Sequence, residues 1–178
     1  MRAQALVRVH IRGFTLVEVL VAMFVLAIGI VGAGATQLTA ERTRQQSALM
    51  SEAAQVAAAL AARMAVNPAV AGLPGGANPY LSFAYDAADG PPVAGVRCFG
   101  GASCTPAELA EFDLHEIRQA VHAQFPRGRI EVCRDGSPWD SAYGRLRWSC
   151  DGNPAALPVV KLGWQGTGDA PGYVGVLR

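Results

Sequence analysis

Phe14-Thr-Leu-Val-Glu18-Val-Leu-Val-Ala-Met-Phe24-Val-Leu-Ala-Ile-Gly29-Ile-Val-Gly-Ala-Gly-Ala35 carries a single charge, Glu18, in 22 residues. As an α-helix rising 1.5 Å per residue it is about 33 Å long, enough to cross the hydrocarbon of a bilayer. Arg2, Arg8 and Arg12 precede it and no acid does, which predicts a cytoplasmic N-terminus and an exported remainder. The helical pattern continues past Ala35. From Thr36 to Val66 there is no Gly and no Pro, and Ala, Leu, Gln, Glu and Arg, all good helix formers, dominate. Leu38, Leu49, Val56, Leu60 and Met64 trace a narrow apolar stripe, with Glu41, Arg42, Arg44, Gln45 and Glu52 mostly off it. Asn67-Pro68 ends the run, because proline disfavours a helical residue before it. The expectation is one helix from about Phe14 to Val66, on the order of 80 Å long, lipid-compatible over 14–35 and amphipathic over 36–66.

The rest of the composition agrees. A length of 178 residues fits one domain plus an extension. The hydrophobic fraction of 51% is high for a soluble domain, and its excess lies in 14–35 and the Ala-rich run that follows. Net charge is +1, so the whole chain has no basic footprint for nucleic acid. Without residues 1–13 the balance is twelve cations against fourteen acids, which gives no electrostatic reason to bind nucleic acid or anionic lipid.

Three ordinary readings compete for the N-terminal stretch. A secretory signal would use Ala33-Gly34-Ala35 as its cleavage site; an uncleaved anchor or a soluble buried helix are the others. The apolar run is longer than a usual signal core and has a carboxylate near its start. A charge at the centre of a lipid-embedded helix costs about 2.5–3.5 kcal/mol on insertion scales. Glu18 lies nearer the end, where the cost is smaller, but it still asks for a partner.

Arg12-Gly13-Phe14-Thr-Leu-Val-Glu18-Val-Leu-Val-Ala22 resembles the class III signal of type IV prepilins and type II secretion pseudopilins. The resemblance implies a leader at 1–13, removed between Gly13 and Phe14 by an inner-membrane aspartyl peptidase that also N-methylates Phe14. It implies Glu18 as the carboxylate used in assembly, and an inner-membrane assembly platform and other pilins as partners. The electrostatics are consistent with that role. Cleavage leaves a cation at Phe14 and an anion four residues on, so Glu18 of one subunit can pair with the terminal ammonium of its neighbour, and leaving either alone in low dielectric is costly. Gly29, Gly32 and Gly34 permit close helix contact or local melting. Where major pilins often carry proline, this chain has Ala35.

Residues 67–178 read as an exported body. The segment 67–104 is rich in Gly and Pro and predicts turns, short helical pieces and a brief edge strand over Leu81, Phe83 and Tyr85. Thr105-Pro106-Ala107-Glu108 is a helix start with a capping box. Leu109, Phe112, Ile117, Ala120, Val121 and Phe125 then share a face until Pro126-Arg127-Gly128. His115 and His122 lie on its other side near Glu111 and Arg118, where a solvated face is favoured over a metal site for want of further ligands. Strands are expected at 129–134, 145–150, 158–164 and 173–177, alternating with period two. Packed under the amphipathic helix they give an α+β layer architecture with one extra helix, and the resemblance implies that it is the pilin fold. Cys98, Cys104, Cys133 and Cys150 lack C-x-x-C spacing and read as two disulfides in an exported chain. Three pairings are open, and nearest neighbours, Cys98–Cys104 and Cys133–Cys150, are preferred because they close short local loops.

Cys104-Thr-Pro-Ala-Glu-Leu-Ala-Glu-Phe-Asp-Leu-His-Glu-Ile-Arg-Gln-Ala, with Pro126-Arg-Gly and the Val159/Val160 to Trp164 strand, is similar to the PilV group of minor pilins. That resemblance implies a low-abundance subunit that helps start or cap a type IV pilus together with other minor and major pilins, in a filament class serving twitching motility and cell adhesion. The alternatives are a minor pseudopilin (I type) of type II secretion and a signal-anchored periplasmic enzyme. The sequence offers no Ser/His/acid set, H-E-x-x-H helix or phosphate loop for the last, so no cofactor, metal or catalytic residue is expected.

Overall fold

A computed structural model describes residues 13–95 and 97–178. Residues 1–12 of the expected leader, with Arg2, Arg8 and Arg12, lie outside the described residues. The chain divides into two compact units, one ending at Gln45 and one spanning Gln46–Arg178. The first helix, α1, covers Leu16–Val66.

In the first unit α1 exposes its apolar side chains, and one stretch of it is long and apolar enough to cross a membrane. Leu38 belongs here and is 66% exposed, so it is not part of the core stripe that its spacing suggests. The hydroxyls of Thr36, Thr39 and Thr43 each donate to a carbonyl of the same helix, Ala33 O at 2.8 Å, Ala35 O at 3.1 Å and Thr39 O at 3.0 Å. Their polarity is therefore satisfied without water.

In the second unit the buried face of α1 is Ala53, Val56, Ala57 and Leu60, with Leu49, Ala61 and Met64 partly covered. Half of that face is alanine. The stripe is broader and smaller-chained than the large residues alone indicate. It packs with Ile130, Val132, Val160, Leu162 and Trp164 in one core, and Trp164 Nε1 donates to Gln46 Oε1 at 3.2 Å. After Val66 comes a four-residue helix, α2 (Pro68–Ala71).

Four strands form the main sheet: β1 (Ala84–Asp86), β2 (Arg129–Arg134), β5 (Pro158–Gly163) and β6 (Tyr173–Val176), all antiparallel in the order β1-β2-β5-β6. Ile130 opposes Leu162 and Val132 opposes Val160, so the alternating apolar residues meet on the core face. β1 starts later than expected. Leu81 and Phe83 precede it and are buried, and the Phe83 carbonyl accepts from Val132 N at 2.8 Å.

The second helix of substance, α3 (Pro106–Gln124), begins with the expected capping box, Thr105 and Glu108 each bonding the other's backbone N–H. Its inward face differs from the expected one. Ala110, Asp113, Leu114, Ile117 and Val121 are buried, whereas Leu109, Phe112 and Ala120 are half-buried. Asp113 is drawn inside by cationic and hydroxyl partners described below, and Phe112 meets Phe99 instead, ring centroids 6.1 Å apart.

The strand expected at 145–150 is also different. β3 (Trp139–Asp140) and β4 (Arg145–Leu146) make a separate two-stranded ribbon. Residues 147–150 then cross the face of the main sheet opposite the core. Trp148 packs so closely on Gly163 that a Cβ there would sit 2.8 Å from the indole, and the Arg129 guanidinium stacks 4.2 Å from the Trp148 ring centroid. The sheet is thus covered on both faces, which the alternation of Val160, Leu162 and Trp164 does not reveal.

Candidate functional site

At the N-terminal end the described chain begins with Gly13, which is exposed and where an added Cβ would meet nothing within 4 Å among the described residues. Phe14 is exposed. Thr15 immediately precedes α1 and caps it: the Glu18 N–H donates to Thr15 Oγ1 at 3.3 Å and to Thr15 O at 3.1 Å. Thr15-x-x-Glu18 is therefore a helix start, a signal present in the sequence that the apolar run concealed. It fixes the first helical turn directly after the Gly13–Phe14 bond and places Glu18 within that turn.

This position has two consequences. The first turn of a helix carries partial positive charge from its unpartnered N–H groups, so a carboxylate there stabilises the helix. An α-ammonium created by cleavage before Phe14 would lie at the same end, where the dipole disfavours a cation and a nearby acid offsets it. Phe14, Glu18 and Ala22 follow at four-residue spacing and border one shallow apolar furrow together with Val19, Met23 and Leu26. Among the described residues nothing donates a hydrogen bond to the Glu18 carboxylate.

In the second unit the cysteines form two disulfides, Cys98–Cys104 with Cα atoms 5.8 Å apart and Cys133–Cys150 with Cα atoms 6.4 Å apart. His115 and His122 do not converge. His115 Nε2 is 3.0 Å from Gln119 Nε2, and His122 Nδ1 is 2.7 Å from the Tyr85 hydroxyl. Among the described residues no group of three His, Cys, Asp or Glu is placed to hold a metal ion.

Two buried polar clusters escaped the sequence reading. In the first, Arg63 Nη1 from α1 donates to Asp113 Oδ1 of α3 at 2.8 Å, and the Tyr80 hydroxyl donates to Asp113 Oδ2 at 2.8 Å. Asn67 Nδ2 donates to the Tyr80 oxygen at 3.2 Å and to the Pro106 carbonyl at 2.7 Å. Burial, reinforced by the hydrogen bond to Asp113, pushes the Tyr80 phenol up to about 12. This cluster ties the end of α1 to the start and middle of α3. In the second cluster, Lys161 of β5 is wholly buried and paired with Asp135 at 2.6 Å. Asp151, at the rim of this cluster, accepts backbone N–H bonds from Asn153 and Gly136, which hold its carboxyl below the usual range.

Residues 8–34 match the family model described as the prokaryotic N-terminal methylation motif. The matched span contains Gly13, Phe14, the Thr15 cap and Glu18, and it supports a type IV pilin-like prepilin. No curated protein and no solved structure gives a significant match.

Proposed function

We propose that the chain is a minor type IV pilin, a structural and assembly subunit that helps initiate or cap a pilus in complex with other minor and major pilins. It starts in the inner membrane, with one pass, a cytoplasmic N-terminus and a periplasmic body. A prepilin peptidase cuts after Gly13 and methylates Phe14, and the assembly platform then moves the subunit into the filament. Its role is structural rather than catalytic.

One observation carries the reading: a lone carboxylate, Glu18, in the first turn of an exposed helix of membrane-spanning length, the fifth residue after the bond that would free an amine. The matched methylation motif supports the processing step. The similarity of 104–128 to the PilV group, with its capped helix and cysteines, favours a pilus over a secretion pseudopilus.

The deciding experiment uses Glu18→Gln expressed beside the partner subunits. Membrane insertion and a methylated Phe14 start are expected to persist, while recovery in sheared pili falls at least tenfold. Undiminished incorporation would contradict the pairing role, and a mature chain starting at Thr36 would return the protein to simple secretion.

A further inference from the structure

Lys161 is a charged residue in the middle of a central strand, with its side chain fully buried. Its ammonium has four acceptors around it: Asp135 Oδ2 at 2.6 Å and the backbone carbonyls of Arg147 at 3.0 Å, Trp148 at 3.1 Å and Ser149 at 2.9 Å. None of these belongs to the strand that carries Lys161. Asp135 lies two residues after Cys133, and Ser149 is the residue before Cys150. The Cys133–Cys150 disulfide therefore joins the two segments that together neutralise the lysine. Further bonds close the same seam. Arg147 Nε donates to Ser137 O at 2.9 Å and Gly136 N donates to Asp151 Oδ2 at 2.9 Å. Asp135 Oδ1 accepts from Ser137 N at 3.0 Å.

We propose that Cys133–Cys150 and Lys161 form one oxidation-dependent latch, so that the lobe 135–150 docks on the sheet, and β5 becomes stable, only after this disulfide has formed. The inference goes beyond filament membership and uses only the export direction. The bond forms when the two thiols give two electrons and two protons to a disulfide oxidant of the exported compartment, which leaves as a dithiol. Before that step the two segments supplying the acceptors are free of each other, and docking them must offset the ordering of both. With the lobe undocked, Lys161 lies uncovered opposite Glu131 of β2, and a lobe that docks without bringing all four acceptors into place leaves the ammonium buried and under-bonded, which strongly opposes docking. The bridge restricts the undocked ensemble to arrangements in which Asp135 and the three carbonyls are close together. The disulfide and the lysine are then coupled, and their effects are not additive.

The test is amide hydrogen exchange on the purified full chain in detergent micelles, for wild type, Cys98→Ser/Cys104→Ser, Cys133→Ser/Cys150→Ser, and the last combined with Lys161→Met and Asp135→Asn. Removing the second bridge is expected to speed exchange at least tenfold through 136–149 and also through 159–163. Removing the first bridge leaves both segments unchanged. Replacing the ion pair by neutral groups lifts that demand, and is expected to recover protection of both 136–149 and 159–163 in the bridge-free protein. Should the bridge-free protein not fold, folding of the combined variant supports the latch and its failure counts against it. Wild-type protection of 136–149 without the bridge, or additive effects of the two changes, would overturn the proposal.

Discussion

Replacing Tyr80 by Phe tests whether the cluster at the end of α1 is a working clamp, because the effect must depend on pH in a defined direction. The phenol is inaccessible, donates to Asp113 Oδ2 at 2.8 Å and accepts from Asn67 Nδ2 at 3.2 Å. Near neutral pH, Tyr80→Phe deprives the buried Asp113 carboxylate of a donor while Asn67 keeps its bond to the Pro106 carbonyl; the expected loss is about 1–3 kcal/mol. The ordinary phenol value is 10.0, and burial raises it to about 12 in the folded chain. A raised folded value means that the folded state holds this proton more tightly. The corresponding stability is complete below about pH 10 and lost as pH rises through about 12, amounting to roughly 2–3 kcal/mol at 1.36 kcal/mol per unit. Wild type should therefore be the more stable protein at about pH 8 and should converge on Tyr80→Phe near pH 12. Urea unfolding of the full chain in micelles measures this, followed by tryptophan fluorescence, to which the core residue Trp164 contributes where it packs on Phe125 with centroids 5.7 Å apart. A difference between the two proteins that stays constant from about pH 8 to 12 would refute both the burial argument and the clamp.

Other consequences can be checked separately. Gly13→Val should leave an uncut precursor, heavier by the mass of residues 1–13 in an intact-mass spectrum; identical masses for variant and wild type would count against cleavage there. Thr105→Ala removes the α3 cap and should cost about 1 kcal/mol near neutral pH. Backbone and side-chain bonds from Thr105 hold the Glu108 carboxyl below its ordinary value, so that part of the cap is present above the ordinary carboxylate range and lost as pH falls through the depressed value. The penalty of Thr105→Ala should accordingly shrink in acid, as read by thermal melts across that range. Non-reducing peptide mapping should recover Cys98 linked to Cys104 and Cys133 linked to Cys150, and a Cys98–Cys133 peptide would contradict the arrangement.

Whatever depends on apolar periodicity or turn chemistry was readable from the residues. The end of α1 at Asn67-Pro68, the capped start of α3, and β2, β5 and β6 all follow from local signals that the tertiary structure leaves intact. What depends on partners distant in sequence was not. Asp113 sits one position before Leu114 on a helix whose apolar pattern alone assigns it no role, and only Arg63 and Tyr80, 50 and 33 residues away, explain why it turns inward. Lys161 reads as the polar, outward member of an alternating strand. It is buried because a chain segment supplies carbonyls on the sheet's second face, and carbonyls have no side-chain signature. The same segment reads as a strand because Leu146 and Trp148 alternate, although Trp148 covers Gly163. On α1, alanines carry half the contact, so a stripe drawn through the large residues put Leu38 in a core to which it does not belong.

The candidate site shows the opposite balance. Its parts are contiguous in sequence, so the Gly13–Phe14 bond, the Thr15 cap and Glu18 need no tertiary context to be found. In the described chain from Gly13 to Gln45, the hydroxyls of Thr36, Thr39 and Thr43 are satisfied by their own helix. That economy is what a lipid environment demands of every polar group. Within the narrower apolar stretch 14–35, Glu18 is the single charged residue, and among the described residues nothing bonds its side chain. A helix end already favours an acid at that point, which accounts for a carboxylate in the first turn but not for keeping it at membrane depth in a stretch otherwise free of charge. The second requirement needs a cation from outside the helix. Cleavage before Phe14, as proposed above, would release an amine at the same end of the helix as the acid, where the Glu18 of an adjacent copy would meet it.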